Sequence, residues 1–409
     1  MLLYGRFVVD FGINYRGAYN VDLPSFYTAS IATFKLNLSP YAPETLNQLM
    51  DQKVFSYVYP PQSLLLFYPL SFVSYAQAQL LMLALNHVLF LLVAFMTIRV
   101  LNLSLRKDNW KIALLVGYLL VFKPITTTLW VGQVSLIVVA LLLAFWMFAR
   151  GNRPGLAGAM LALVIVLKAY PVLLLPFLLI SRRYRETLAT LGWLAVITAV
   201  AAVVIPASTW ADWFFNVVPQ GGYGRVPADL FSPAMQWNQS MASFLARMFI
   251  SYGRTQALFP NAGGIHTAKI LAYFASATLG LISLGVVFKA RNRSPEAMLR
   301  HTMMIGLPLI YLVAPISWEH HAVHLIPALV GLLLVARPSR SPLFTGLYYT
   351  IAGLVAICLN LEQVMLFFPA VLTIWMLNCI LALQPEPAAE AAVQPAAPRQ
   401  QDAPELIAS

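Results

Sequence analysis

The groups in this sequence that could do chemistry stand far apart in the chain. Asp22 is an acid placed just before Leu23-Pro24. Lys168 interrupts a long apolar run as Lys168-Ala169-Tyr170-Pro171. Glu319, His320, His321 and His324 form an acid–imidazole cluster at the start of another apolar run. Gln133 follows Gly132 in a tight turn between two apolar runs, and Asn238-Gln239-Ser240 lies in a long polar segment. Together they offer an acid, a base and a cation. A carboxylate can take a proton from an attacking hydroxyl, and a lysine set in an apolar run calls for an anionic partner or water.

Each group also has a plainer reading. Asp22 could simply cap a helix beginning at Pro24. Trp318-Glu319-His320-His321 could anchor a span at the membrane interface. On an α-helix His320 and His324 would share a face, a spacing that also suits a metal, but no matching carboxylate motif accompanies it and no metal site is assigned. His87 and His301 read as satisfied interior residues. Lys168 is the hardest to explain in this way.

These residues must be positioned by an almost wholly apolar chain. Of 409 residues, 60% are hydrophobic and only 10% are charged, against about 25% charged in soluble proteins; the mean hydropathy is +0.74. Fibrous, disordered and ordinary soluble classes are excluded. Runs such as 113–122, 134–148 and 156–167 are hydrophobic all round, which places them in lipid. The formal charge of +11 is explained by cytoplasmic Lys and Arg rather than by nucleic-acid binding. Cys358 and Cys379 both sit in apolar runs and give neither a disulfide framework nor a zinc spacing.

Full spans read over 77–99, 111–127, 131–149, 187–205, 268–289, 301–315, 322–336, 343–358 and 363–382. The basic loops around Arg99–Lys111, Arg150–Arg153, Arg182–Arg185, Lys289–Arg300 and Arg337–Arg340 alternate correctly if all lie in the cytoplasm, on one condition. Segment 155–180 lies between two of them and must enter and return. Pro171 breaks its helix, and each arm of about 12 residues reaches roughly 18 Å, short of a roughly 30 Å bilayer core. A hairpin with Lys168 near its apex is therefore expected, with one long span as the alternative. The opposite side then receives 1–60 and the loop 206–267, with short helices at 24–35 and 43–53 near the membrane surface. It also receives Asp10, Asp22, Asp229, Glu319, Glu362 and the other polar groups above. No span precedes residues 1–60, which favours a first membrane helix missing upstream. The tail 384–409 is rich in Ala, Pro, Gln and Glu and reads as a disordered cytoplasmic tail.

The ordered series Asp22-Leu23-Pro24-Ser25-Phe26-Tyr27, Pro40-Tyr41, Tyr59-Pro60-Pro61, Gly132-Gln133, Lys168-Ala169-Tyr170-Pro171, Asn238-Gln239-Ser240 and Ser317-Trp318-Glu319-His320-His321 resembles glycosyltransferase family 87 of the GT-C superfamily over about residues 20–335. The resemblance implies an all-α polytopic membrane protein, a GT-C-like helical bundle with extracytoplasmic loops and short surface helices, in the plasma (inner) membrane. It implies inverting transfer of a sugar, typically mannose, from a polyprenyl-phosphate donor to a glycolipid or glycan hydroxyl on the extracytoplasmic side, with no cofactor. Asp22 would be the general base. Lys168, Tyr170, His320, His321, Gln133, Asn238, Glu319 and Tyr59 would bind the donor phosphate or the substrates. The leaving phosphate is already a stable anion, so it needs cations and donors rather than a general acid.

Three rivals are weaker. A transporter or flippase of lipid-linked glycans would show internal repeats, and neither the Asp22 segment nor the Lys168 hairpin has a second copy. A GT-C ligase or polymerase using diphosphate donors would need more outer cations, for which Arg225, Arg247 and Arg254 are candidates. A scaffold leaves the polar clusters without a purpose.

Overall fold

A computed structural model describes residues 21–385, apart from 52, 224, 226–231, 254, 261, 337–340 and 362–363. The expectations for residues 1–20 with Asp10, for a helix upstream, for Asp229, Arg254, Arg337, Arg340 and Glu362, and for the tail beyond 385 lie outside the described residues. Among those described, helices make up the architecture, and the only strand-like pairing is two isolated bridges, Asn238–Trp318 and Tyr252–Thr255.

Among the described residues, four helices are long and apolar enough to cross a membrane: Tyr75–Val100, Tyr184–Val204, Gly264–Lys289 and Leu366–Leu383. The pair Asn109–Val121 and Lys123–Val131, bent by 44°, makes a fifth when its two helices are counted as one span. The bend has a local cause. Pro124 has no N–H to continue the ladder, and Phe122 turns to an extended conformation (φ −71°, ψ 105°). The side chain of Asn360 accepts the Lys123 N–H at 2.8 Å, satisfying a donor the break frees. The nine full spans expected from sequence are thus fewer by length. Ser135–Arg150, Glu319–Val335 and Pro342–Cys358 are shorter apolar helices, and the 111–127 span runs on through its bend to Val131.

The hairpin forms. Pro154–Leu167 ends where Lys168 becomes extended (φ −146°, ψ 113°), and the chain returns through Tyr170–Leu173 and Leu174–Ile180. Both ends lie at the same end of the bundle. Arg183 donates to Ala149 O and to Pro295 O, each at 3.1 Å, so the returning arm finishes beside the loop from which the hairpin started. The single-span alternative is excluded. Gly158 lets the outgoing arm press on Tyr184–Val204, since a Cβ there would lie 2.5 Å from Ala189 Cβ. The basic loops are knit together at this end: Arg150 donates to Arg99 O at 3.1 Å and lies 3.6 Å from Glu296.

At the other end, Leu23–Phe34 is more enclosed than a helix resting on a membrane surface. Leu23, Phe26, Ala29 and Ala32 are all buried. Phe26 stacks on Phe67 with ring centres 4.5 Å apart, and Tyr57 and Tyr59 crowd the same rings. The second short helix covers only Pro43–Gln48.

Candidate functional site

Asp22 does not cap the helix it precedes: its side chain makes no capping hydrogen bond and its backbone is helical (φ −105°, ψ −34°). Its N–H instead donates to Val131 O at 3.0 Å, and its Oδ2 accepts from Nε2 of Gln133 at 3.1 Å. Gly132 makes this approach possible. It adopts φ 71°, and a Cβ would come within 2.8 Å of Leu23 Cβ. Gln133 is buried, and its Oε1 accepts the Val134 N–H at 2.9 Å and the Tyr59 hydroxyl at 3.1 Å. Tyr59 is held in turn by the aromatic cluster and by Tyr41, whose hydroxyl donates to Tyr59 O at 2.8 Å. Asp22 itself stays half-buried. Burial pushes its carboxyl up to about 6, with the charge of Lys168 and the bond from Gln133 acting the other way.

Lys168, at the apex of the hairpin, is 5% exposed. Its Nζ lies 2.5 Å from Nε2 of His321 and 5.9 Å from the centre of the Tyr59 ring. Nδ1 of His321 accepts the Trp318 N–H at 3.2 Å, so the neutral ring carries its proton on Nε2, toward lysine. A neutral amine accepts that proton and an ammonium does not. Burial pushes Lys168 down to about 7, opposed by the charge of Asp22.

The histidines do not line up as expected from an α-helix. Glu319–Leu325 is a 3₁₀ helix, in which residues three apart eclipse one another. His321 and His324 therefore stack (6.2 Å, 4°), while His320 stands at 87° to His321. The shared face is 321/324 rather than 320/324. Among the described residues no group of three His, Cys, Asp or Glu is arranged to hold a metal ion. Tyr170 lies 6.3 Å from His321 and 6.2 Å from His324, ring centre to centre. Its hydroxyl and Nε2 of His320 and His324 are buried with no hydrogen-bond partner in the protein. Orphaned polar atoms are rare in native interiors; three beside Lys168 make a cluster suited to an oxygen-rich anion.

The other expected residues are nearby but engaged. Glu319 lies 3.4 Å from Lys123 and accepts from Thr127 at 3.4 Å. Asn238 is a latch: its Oδ1 accepts the Ser317 N–H at 3.0 Å and the Ser240 N–H at 3.1 Å. Arg247 serves it from beneath. The sequence offered this residue only as a possible outer cation, yet it is 1% exposed and donates to Asn238 O at 2.9 Å and Met235 O at 3.2 Å. Tyr311, whose hydroxyl donates to Trp318 O at 3.3 Å, was not anticipated, because within an apolar run nothing separates it from a core aromatic.

Apolar throughout its spans, with an acid, an amide, a lysine and three imidazoles gathered at one end, the chain is a polytopic helical membrane protein. Within that class it belongs to glycosyltransferase family 87, which residues 57–315 match. That match starts after Asp22 and stops before Glu319. The chain is 25% identical over 314 residues to the polyprenol-phosphate-mannose-dependent alpha-(1-2)-phosphatidylinositol mannoside mannosyltransferase of Mycolicibacterium smegmatis, covering 73% of this chain and 66% of that one. It is 27% identical over 292 residues to the protein of the same name from Mycobacterium tuberculosis, covering 68% and 62%. The chain thus spans slightly less than two thirds of the length of either curated relative.

Proposed function

We propose that this protein transfers mannose from a polyprenyl-phosphate donor to a glycolipid hydroxyl, with inversion, on the extracytoplasmic side of the plasma membrane. The observation that carries the reading is the pairing of Asp22, half-open and bridged by Gln133, with a buried lysine–imidazole cluster at the same end of the bundle.

The chemistry divides between the two halves. The acceptor oxygen attacks the anomeric carbon and its proton passes to the Asp22 carboxylate. The bond from that carbon to the phosphate oxygen breaks with its electron pair. The phosphodiester, singly negative, leaves as a monoester that tends toward two negative charges. Charge therefore builds on the phosphate side, where Lys168, the Tyr170 hydroxyl and the N–H groups of His320, His321 and His324 can meet it. Such donors act more strongly where water is excluded. Gln133 orients the base, and Tyr59 fixes Gln133. A lipid-linked donor also accounts for a site at the end of a bundle of membrane helices, because the prenyl chain can remain in the bilayer.

The test is to incubate the purified full chain with polyprenyl-phosphate mannose and phosphatidylinositol mannoside acceptors and to look for the extended glycolipid by mass spectrometry. Product formed by the wild type and lost in Asp22→Asn supports the reading. Absence of product from folded wild-type protein with every acceptor overturns it.

A further inference from the structure

One side chain of the loop after Pro342–Cys358 reaches into the bend between Asn109–Val121 and Lys123–Val131 and touches both of its arms. Asn360 lies beyond residues 57–315, the part that matches the family. Its Oδ1 accepts the Lys123 N–H at 2.8 Å, and its Nδ2 donates to the Tyr118 hydroxyl at 3.4 Å. Nδ2 also donates to Ala356 O at 2.8 Å, and the Tyr118 hydroxyl donates to the same carbonyl at 3.2 Å. The first N–H groups of a helix have no acceptor within it. Phe122, in the capping position, offers no side-chain acceptor, and Pro124 has no N–H to satisfy. Ile125 and Thr126 donate to Phe122 O at 2.9 and 3.4 Å. The Lys123 N–H is the donor that this helix start cannot serve, and its acceptor comes from 237 residues away.

The arm beyond the bend meets both halves of the candidate site. At its tip Val131 O accepts the Asp22 N–H at 3.0 Å, and Gln133, just past the helix end, donates to Asp22 Oδ2 at 3.1 Å. Along its side Thr128 donates to His320 O and Thr127 to Glu319 Oε1, each at 3.4 Å. The arm is nine residues long. At ~1.5 Å per residue it reaches about 13 Å, so a turn of ~10° at its base moves its tip by roughly 2 Å. Misplacement on the order of 1 Å can cost about a hundredfold in rate.

We propose that Asn360 is a positioning residue for sugar transfer: by holding both arms of the bend it sets where Asp22 and Gln133 stand relative to the histidine turn. The inference rests on the proposed transfer reaction. The Asn360 side chain meets Lys123, Tyr118 and Ala356, so it acts through the arm and not on the substrates.

The full-length protein in lipid nanodiscs is compared with two variants. Asn360→Leu removes both hydrogen-bonding groups. Asn360→Asp keeps an acceptor for the Lys123 N–H and puts a negative charge at a helix N-terminus, where it is favourable. Transfer at saturating donor and acceptor is expected to fall about tenfold to a hundredfold in Asn360→Leu and to recover largely in Asn360→Asp. In a Gln133→Ala background Asn360→Leu should cost much less, because the two changes act on one contact. Amide hydrogen exchange, read by mass spectrometry, should quicken in Asn360→Leu in the peptides carrying Asp22 and Gln133 as well as beside the bend. Should Asn360→Leu fail to fold, Asn360→Ser, whose hydroxyl is too short to reach both arms, decides. The proposal is overturned by exchange that quickens only beside the bend, by saturated transfer unchanged in Asn360→Leu, or by the same fractional loss in the Gln133→Ala background. Absence of transfer from the wild type would remove the proposed reaction, and exchange alone would then decide whether Asn360 sets the Asp22 turn.

Discussion

Nζ of Lys168 lies 2.5 Å from Nε2 of His321, although 153 residues separate them in sequence. Because Trp318 donates its N–H to the other ring nitrogen, the neutral imidazole presents N–H to the lysine and favours the uncharged amine. An arriving phosphate favours the ammonium instead. Under the proposed donor-binding role, the site would take up a proton together with the phosphate.

A pH dependence follows. With Asp22 as the proposed base, its carboxyl must be ionised, so activity is expected to rise as pH passes about 6. Lys168 loses its charge as pH rises through about 7, so donor capture falls above that value. The profile of kcat/KM, which reports the free enzyme, is expected to be a narrow bell. In kcat the alkaline limb should move up, since bound phosphate holds the proton on Lys168. Lys168→Arg should flatten the alkaline limb, because a guanidinium stays charged, while restoring transfer only in part. Initial rates over pH at limiting and saturating donor check this; an unchanged alkaline limb in Lys168→Arg refutes the assignment.

Asp22→Asn is expected to lower transfer by roughly 10²–10⁴-fold with little change in donor binding. Asparagine caps helices about as well as aspartate, and the Asp22 side chain makes no capping bond, so stability should hold. Single-turnover rates and the unfolding midpoint together make the measurement. Turnover near the wild type would move the base elsewhere.

Gly132→Ala should harm both fold and site. The left-handed backbone costs about 1–2 kcal/mol for an alanine, and its Cβ would lie 2.8 Å from Leu23 Cβ. Leu23 must shift, carrying Asp22 away from Gln133. A lower unfolding midpoint accompanied by slower transfer is expected; unaltered values of both would show that the turn tolerates a side chain.

The orientation can be checked by labelling in a background with Cys358 and Cys379 replaced. Cysteine at Ser232 should react with a membrane-impermeant thiol reagent from the extracytoplasmic side, and cysteine at Lys107 should not. The reverse pattern would invert the bundle and place the Asp22 site in the cytoplasm.

The hairpin was legible because Pro171 and two flanking basic loops favoured it over a single long span, and Arg183 now joins its ends. Gly132-Gln133 was legible as a tight turn, but its partner Leu23 was not, since nothing local marks which distant helix approaches a glycine. The facing of the histidines was misread because composition does not separate a 3₁₀ turn from an α-turn. The capping reading of Asp22 was equally consistent with the sequence and failed on a contact made 111 residues away.

Arg247 supplies the last prediction. Its Nη1 donates to Asn238 O, and Oδ1 of Asn238 accepts the Ser317 N–H. The next N–H, that of Trp318, sets the His321 tautomer that faces Lys168. Arg247 touches none of the proposed reacting groups, so it acts as a positioning residue. Arg247→Met removes donors from the buried Asn238 and Met235 carbonyls, at about 1–3 kcal/mol for each group left unsatisfied, and should lower the unfolding midpoint. A purely structural role would stop there. If the chain of contacts transmits, the variant that remains folded should also show a raised donor KM and a displaced alkaline limb, with a smaller change in the rate at saturating donor. Arg247→Lys, which keeps one charged donor, should recover part of both effects. Loss of stability with an unshifted pH profile would confine Arg247 to holding the loop.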